Sequence, residues 1–543
     1  MANDTPISQP GMALDRRDFL RGGALLGAGL ALAGSPLAHA APPASSLART
    51  RSGHIAGQRE GGIHVFRGIP YGADTAPRRF QPALREARWR GVRQALDYGN
   101  AAPQGGGEGP GSEDCLYLNV WTPGLRDGGK RPVLVYIHGG GYNNGSGSSP
   151  LYDGGNLARH GDVVVITVNH RLNLFGYLYL AQLGGPAFAD SGNVGQLDLV
   201  QALQWVREHA AEFGGDAGNV TVFGQSGGGA KIATLMAMPA ARGLFHRAWT
   251  MSGQQVTAAG PRAATQRARL VLEHFGVRDA QALATMPMEK LLEATRLRDP
   301  SRVEDTSLYL GPVLDARALP VHPFWPQAPV QSAGIPMVIG NTHDETRAFL
   351  GNDPRNFELG WDELPARLET QQYVDLLPSV VIDEYRRLYP QYTPSEVFFA
   401  ATTAGRSWRG AVEELEARAR QPAGAAPTWA YQLDWYARGG EAEKLRAFHT
   451  LDIPLVFDNL DPPESRTGTS DDARTMAAAM RDALLAFARH GDPNHAGLPR
   501  WEPYDLARRQ TMVFDSPSRQ VDDPRGGERR LYQQAPFIQR GTF

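Results

Sequence analysis

Cysteine is almost absent from this chain: Cys115 is the single one in 543 residues, so no intramolecular disulfide can form. Export to an oxidising compartment would permit such a bond without requiring it. With no histidine near it in sequence, Cys115 reads as a buried core thiol and not as a nucleophile. Charge of one sign is equally scarce, since 55 Lys and Arg stand against 57 Asp and Glu. That balance supplies no bulk field for nucleic acid or an anionic membrane, and leaves a small molecule, or a protein, as the expected partner. The sequence holds no HExxH zinc motif and no P-loop, so nothing in it calls for a metal or an organic cofactor. It also lacks internal repeats and any sharp charge boundary.

The N-terminal apolar stretch, Ala24 to Leu32, is shorter than the roughly 20 residues that span a bilayer. It lies within DRRDFLRGGALLGAGLALAGSPLAHA, where Arg16 and Arg17 precede Phe19 and Leu20 and the small-residue site Ala38-His39-Ala40 follows. This order is that of a twin-arginine export signal over residues 1–40, cleaved after Ala40, in preference to a first helix or a membrane anchor. The expected mature protein begins near Ala41, is periplasmic or secreted from a bacterium, and keeps no stable membrane anchor.

After a short Pro/Ala/Ser linker, apolar β-rich runs alternate with helical patterns. PVLVYIHGGG (132–141), DVVVITVNHR (162–171), NVTVFGQSGG (219–228) and PMVIGNTHDE (336–345) each pass from an apolar run into polar or glycine-rich residues. Apolar runs without alternation are what strands buried on both faces look like, as in a parallel sheet covered by helices. Between the second and third runs, LDLVQALQWVREHAAEFGG places Leu197, Val200, Leu203, Ala210 and Phe213 at helical spacing and stops at Gly214 and Gly215. The expected fold is α/β, a doubly wound sheet with its ligand crevice beyond the carboxyl ends of the strands. Residues 255–310 and 351–425, rich in helix formers and charge, read as helical insertions around the site within one domain spanning 41–543.

TVFGQSGGGAKIATL, residues 221–235, carries the chemistry. Glycines crowd Ser226 where a tight strand-to-helix corner needs positive φ or lacks room for a Cβ. G-x-S-x-G corners of this kind raise a serine hydroxyl above a parallel sheet as a nucleophile elbow. With 62 glycines in the chain such a match is weak alone, and context has to decide. Acyl transfer by serine needs a base, an acid to orient it and N–H donors for the oxyanion, in the chain order Ser, Asp or Glu, His. Downstream of Ser226, NTHDE offers Asp344 and Glu345, and spacing cannot separate these neighbours. Of His449, His490 and His495, the last two lie in the turn cluster HGDPNHAG, whereas His449 precedes the apolar LDIPLVF that could hold its ring against the core. HGGGYNNGSG follows the strand read at 133–137 and matches the element that supplies oxyanion N–H donors, where a bare flexible turn is the alternative.

With these elements in order, the chain resembles a type B carboxylesterase, the family of cholinesterases and bacterial para-nitrobenzyl esterases. FRGIPYG, EDCLYLNVWTP, HGGGY, VNHRLNLFGY, GNVGQLDLVQALQWV, FGGDAGNVTVFGQSGG, GPVLDARALP, NTHDE, FHTLDIPLVF, FARHGDPN and WEPYD follow the family's order over almost the whole mature chain. The resemblance implies an α/β-hydrolase fold, Ser226 as nucleophile, Glu345 as acid in preference to Asp344, and His449 as base. It implies Gly140, Gly141 and Gly227 as oxyanion donors, with Ser252 of MSG supporting the acid. Three departures stand out. Gln225 replaces the family's glutamate before the nucleophile, which weakens attraction for cationic substrates such as choline esters. Ala102 stands where eukaryotic members keep the cysteine that pairs with the one in EDCL, and the short segment from Ala102 to Cys115 lacks the aromatic of the choline site. Asn173, in HRLN, takes the place of a glycine. The expected activity is hydrolysis of neutral small-molecule esters through an acyl-enzyme. The alternatives are carbamate, amide or lactone cleavage, acyl transfer to an alcohol, and a non-catalytic binding scaffold that has kept the fold.

Overall fold

The computed structural model of the protein describes residues 46–105, 111–300, 306–539 and 542, and the export signal read at residues 1–40 lies outside them. In chain order the strands are β1 (Ser46–Arg49), β2 (His54–Glu60), β3 (Ile63–Pro70), β4 (Val92–Gln94), β5 (Tyr117–Thr122), β6 (Arg131–Ile137), β7 (Val164–Val168), β8 (Gly215–Gln225), β9 (Arg247–Met251), β10 (Met337–Thr342), β11 (Thr428–Leu433), β12 (Gln510–Phe514) and β13 (Arg519–Asp522). They form one sheet in the order β1-β2-β3-β5-β7-β6-β8-β9-β10-β11-β12-β13, with β4 paired to β2. Every pair from β7 through β6, β8, β9, β10, β11 and β12 is parallel, while β1-β2, β2-β3, β3-β5, β5-β7 and β12-β13 are antiparallel. This is an α/β-hydrolase fold, a mixed central sheet flanked by helices.

Period-2 alternation explains the unbroken apolar runs. Val133, Val135 and Ile137 of β6 join one buried cluster and Leu134 and Tyr136 join another. In β7, Val164, Ile166 and Val168 face the first and Val165 the second. Successive side chains of a strand point to opposite faces, so a sheet covered on both sides needs apolar residues at every position. The helix read at 197–215 spans Val194–His209 and tightens into a 3-10 turn, Ala210–Phe213, which ends at Gly214 in left-handed geometry with φ 69°. Its buried face is wider than the five positions named from spacing and includes Leu199, Trp205 and Val206, whereas Leu197 is only half-buried.

Register carries the functional segments to one edge. Ile137 pairs with Gly224, Gln225 with Met251, and Gly340 also with Met251. Ser226, His138–Tyr142, Ser252 and Glu345 all therefore lie just past the carboxyl ends of neighbouring strands, where ligand crevices of parallel sheets form. Helices Pro261–His274, Ala280–Thr285 and Met288–Leu292 fall in the first insertion, and Leu364–Glu369, Pro378–Leu388, Pro394–Thr403 and Arg409–Ala419 in the second.

A buried ion pair fastens the helix Val194–His209 to the loop after β7. Arg171 donates from Nε and Nη2 to Asp198 at 2.8 and 2.6 Å, and the side chains are 1% and 0% exposed. Removing one partner of such a pair strands the other charge in the interior. Asp198→Ala should therefore destabilise the fold by about 3–5 kcal/mol, measured by denaturant unfolding against the wild type.

Candidate active site

Ser226 sits at the corner between β8 and the helix Gly227–Ala237 with φ 56° and ψ −126°, a conformation strained for a residue with a Cβ. The glycines that follow are needed for close approach. A Cβ on Gly227 would strike the carbonyl of Gly141, and one on Gly228 the carbonyl of Ile137. The helix start is thus pressed against the loop after β6, and its first N–H groups, which have no intrahelical partner, point toward the serine. The positive end of the helix dipole favours negative charge there.

The acid and base meet across the chain. Glu345 is fully buried, and its Oε2 faces His449 Nδ1 within hydrogen-bonding distance. Its Oε1 accepts from the Thr342 N–H at 3.0 Å and from Asn341 Nδ2 at 3.3 Å, so the carboxylate is fixed before it orients the ring. Asp344 turns away to Arg347 at 3.1 Å and His343 at 3.0 Å, which separates the two neighbours that spacing left tied. His449 is 6% exposed, meets the Phe349 ring at a tilt with 4.7 Å between ring centres and leads into the wholly buried helix Asp452–Phe457. His490, at the exposed end of the helix Asp471–His490, and His495, bonded to the Ala479 carbonyl at 3.1 Å, lie outside the cavity. Gln225 is buried, with its Nε2 3.1 Å from His449 Nε2. Among the described residues no hydrogen bond joins Ser226 Oγ to the ring, and such contacts tighten when substrate binds. Among the described residues Ser252 Oγ makes no hydrogen bond to Glu345; it accepts at 3.4 Å from the same Thr342 N–H that the carboxylate holds.

Gly140 and Gly141 adopt φ 78° and 59°, a left-handed turn open to glycine. The N–H groups of Gly140, Gly141 and Gly227 have no backbone partner among the described residues, which leaves them for an oxyanion. Gly141 and Gly227 line the cavity, and Gly140 sits one residue behind. Asn173, whose role the sequence leaves open, has φ 45°, where asparagine is tolerated in place of glycine. Its Nδ2 donates to the carbonyls of Pro103 at 2.7 Å and Asn143 at 3.1 Å, and its N–H to Tyr142 O at 2.6 Å, so it braces the end of the oxyanion loop.

Ser226, Glu345 and His449 open on one cavity of 270 Å³. Its walls include Leu308, Tyr309 and Leu310 from the first insertion and Tyr373, Arg406 and Ser407 from the second. No motif marks these residues. The nearest signal is the π-helical segment Ala404–Trp408, a geometry found often at functional sites, which sequence spacing does not reveal. Cys115 is buried, far from nucleophilic use, and burial pushes its thiol up. Among the described residues no group of three or more His, Cys, Asp or Glu could hold a metal, and no helix is long and apolar enough to cross a membrane. Glu345→Gln, which keeps the shape but loses the charge behind His449, should lower kcat about a thousandfold or more, whereas Asp344→Asn should leave kcat near wild type. Steady-state hydrolysis of one ester by both variants reads the difference.

Comparison with known proteins agrees with this geometry. The Carboxylesterase family profile matches residues 44–530. The para-nitrobenzyl esterase of Bacillus subtilis is 36% identical over 498 residues, 89% of this chain and 98% of that protein. The phenmedipham hydrolase of Pseudarthrobacter oxydans is 34% identical over 479 residues, 84% of this chain and 92% of that protein. A Geobacillus stearothermophilus carboxylesterase crystal structure superposes with a TM-score of 0.79 at 38% identity, covering 90% of this chain and 100% of that one. The chain belongs to the carboxylesterase family and is a serine-hydrolase esterase acting on small-molecule esters, related to the bacterial para-nitrobenzyl esterases.

Proposed function

We propose that the protein hydrolyses neutral carboxylic esters through an acyl-enzyme on Ser226. The observation that carries this reading is the contact of buried Glu345 with His449 Nδ1 in the cavity onto which Ser226 opens. His449 Nε2 takes the Ser226 proton as Oγ attacks the ester carbonyl. The tetrahedral oxyanion is held by the N–H groups of Gly140 and Gly141 in the loop after β6 and of Gly227 at the helix N-terminus. His449 then gives the proton to the departing alcohol, and afterwards activates the water that releases the acid and restores the serine. Neutral esters suit the site because an uncharged carboxamide, Gln225, lies beside the imidazole, and the Glu345 carboxylate is already engaged by His449, Thr342 and Asn341.

Intact-mass measurement after fluorophosphonate treatment tests the mechanism. One adduct is expected on the wild type and none on Ser226→Ala, with turnover of a para-nitrophenyl ester series from acetate to decanoate lost in the variant. In the same series, butyrylcholine should be a poor substrate next to para-nitrophenyl butyrate. An unlabelled, well-folded wild type would remove the serine mechanism.

The twin-arginine reading places this esterase in the periplasm or outside the cell. Replacing Arg16 and Arg17 together by Lys should retain the protein in the cytoplasm, seen by fractionation of cells that express each form.

A further inference from the structure

The helix Gly227–Ala237 is buried at every residue, and Lys231 is a charge-bearing side chain in the middle of it with 0% exposure. A buried ammonium ordinarily pairs with a carboxylate. None pairs with Lys231 among the described residues, and its neighbours are of another kind. Its Nζ donates to the main-chain carbonyl of His138 at 3.1 Å and stands 5.7 Å from the centre of the Tyr142 ring. These two contacts fall at the two ends of the segment His138-Gly139-Gly140-Gly141-Tyr142, with the oxyanion glycines between them.

That segment needs outside support. Three consecutive glycines lose more backbone freedom on ordering than other residues do. At its far end the Tyr142 hydroxyl donates to Gln255 Oε1 at 2.8 Å and the ring meets Tyr177 edge-on at 4.9 Å, so the surface under the ammonium is itself held. At its near end the His138 ring stacks on His170 at 4.8 Å, and burial keeps both imidazoles well below their usual pKa. Of these buried groups Lys231 therefore holds a proton most readily.

We propose that Lys231 is a positioning residue for ester hydrolysis: its ammonium pins both ends of the oxyanion loop and places a positive charge behind the N–H groups that receive the oxyanion. The inference rests on the serine-esterase reading of Ser226, Glu345 and His449. Lys231 lies five residues along the helix from Ser226, roughly 7 Å of axial rise, so it acts through the loop and its field and not by touching substrate. Burial lowers its ammonium to about 7, and the negative charge that develops on the substrate oxygen favours the protonated form. Its effect is thus greater in the transition state than in the ground state, which raises kcat and leaves KM alone.

The test compares Lys231→Met and Lys231→Gln with the wild type and with Ser226→Ala, reading kcat, KM, melting temperature and the affinity of a trifluoromethyl ketone that forms an oxyanion on the serine. Replacing a buried unpaired charge by methionine should leave the melting temperature unchanged or raised. The expected result is a ten- to hundredfold fall in kcat, about an order of magnitude less than loss of a direct oxyanion donor, with KM held within about threefold. Ketone affinity should fall by the same factor as kcat/KM, and Lys231→Gln, which retains an N–H donor, should fall less than Lys231→Met. Wild-type kcat in both variants, or a fall in kcat with ketone affinity unchanged, would overturn the proposal. Loss of folded protein in both would also overturn it, in favour of a role in folding alone. Turnover by Ser226→Ala would instead remove the underlying serine reading, whatever the lysine variants do.

Discussion

Everything catalytic in this molecule hangs on the backbone of Ser226. A non-glycine residue at φ 56° and ψ −126° persists only where its surroundings leave no alternative. Here β8 delivers it, its N–H is held by Met251 O at 2.7 Å, and the helix after it is pressed onto the loop after β6. A Cβ on Gly253 would strike the carbonyl of Ser226 itself, so β9 closes the corner from the other side. The elbow is a product of three strands meeting and not of a local turn preference.

Electrostatics follow from the same crowding. Glu345 has no exposure, yet it keeps three hydrogen-bonding partners, and a carboxylate so satisfied can remain in the interior. The ring it orients has a neutral amide on its other side, since Gln225 brings an uncharged group where a second carboxylate would favour cationic ligands. The oxyanion loop lies between Asn173, which braces its end through two hydrogen bonds and ties it to Pro103 by a third, and Lys231 beneath it. Two of the residues at which this sequence departs from a simple pattern, Gln225 and Asn173, thus sit directly against the catalytic machinery.

The sheet was readable because burial on both faces leaves an unmistakable mark: apolar runs such as PVLVYI with no polar interruption. The elbow and the HGGG loop were readable because both require glycine for reasons of space and φ that leave a dense local signature. Asp344 and Glu345 could not be told apart by spacing, because two adjacent residues after a strand differ only in which way the turn points them. The structure sends one to Arg347 and the other to His449. Ser252 shows the limit of a residue-by-residue reading. Its hydroxyl bonds the Thr342 N–H and not the carboxylate, while Asn341, which does bond Glu345, stands at the head of NTHDE with no role marked by spacing.

Sequence by itself determined the fold class, the family and the order of the chemical groups along the chain, because each leaves a pattern in neighbouring residues: periodicity, glycine clusters, ordered motifs. Tertiary structure decided how the turn after β10 sends Glu345, which the family resemblance already preferred to Asp344, to the histidine, what Asn173 does and which side chains wall the cavity. Leu308 and Tyr373 share that cavity across 65 residues of sequence only because two helical insertions fold over the same sheet edge, and distance along the chain holds no record of such a meeting.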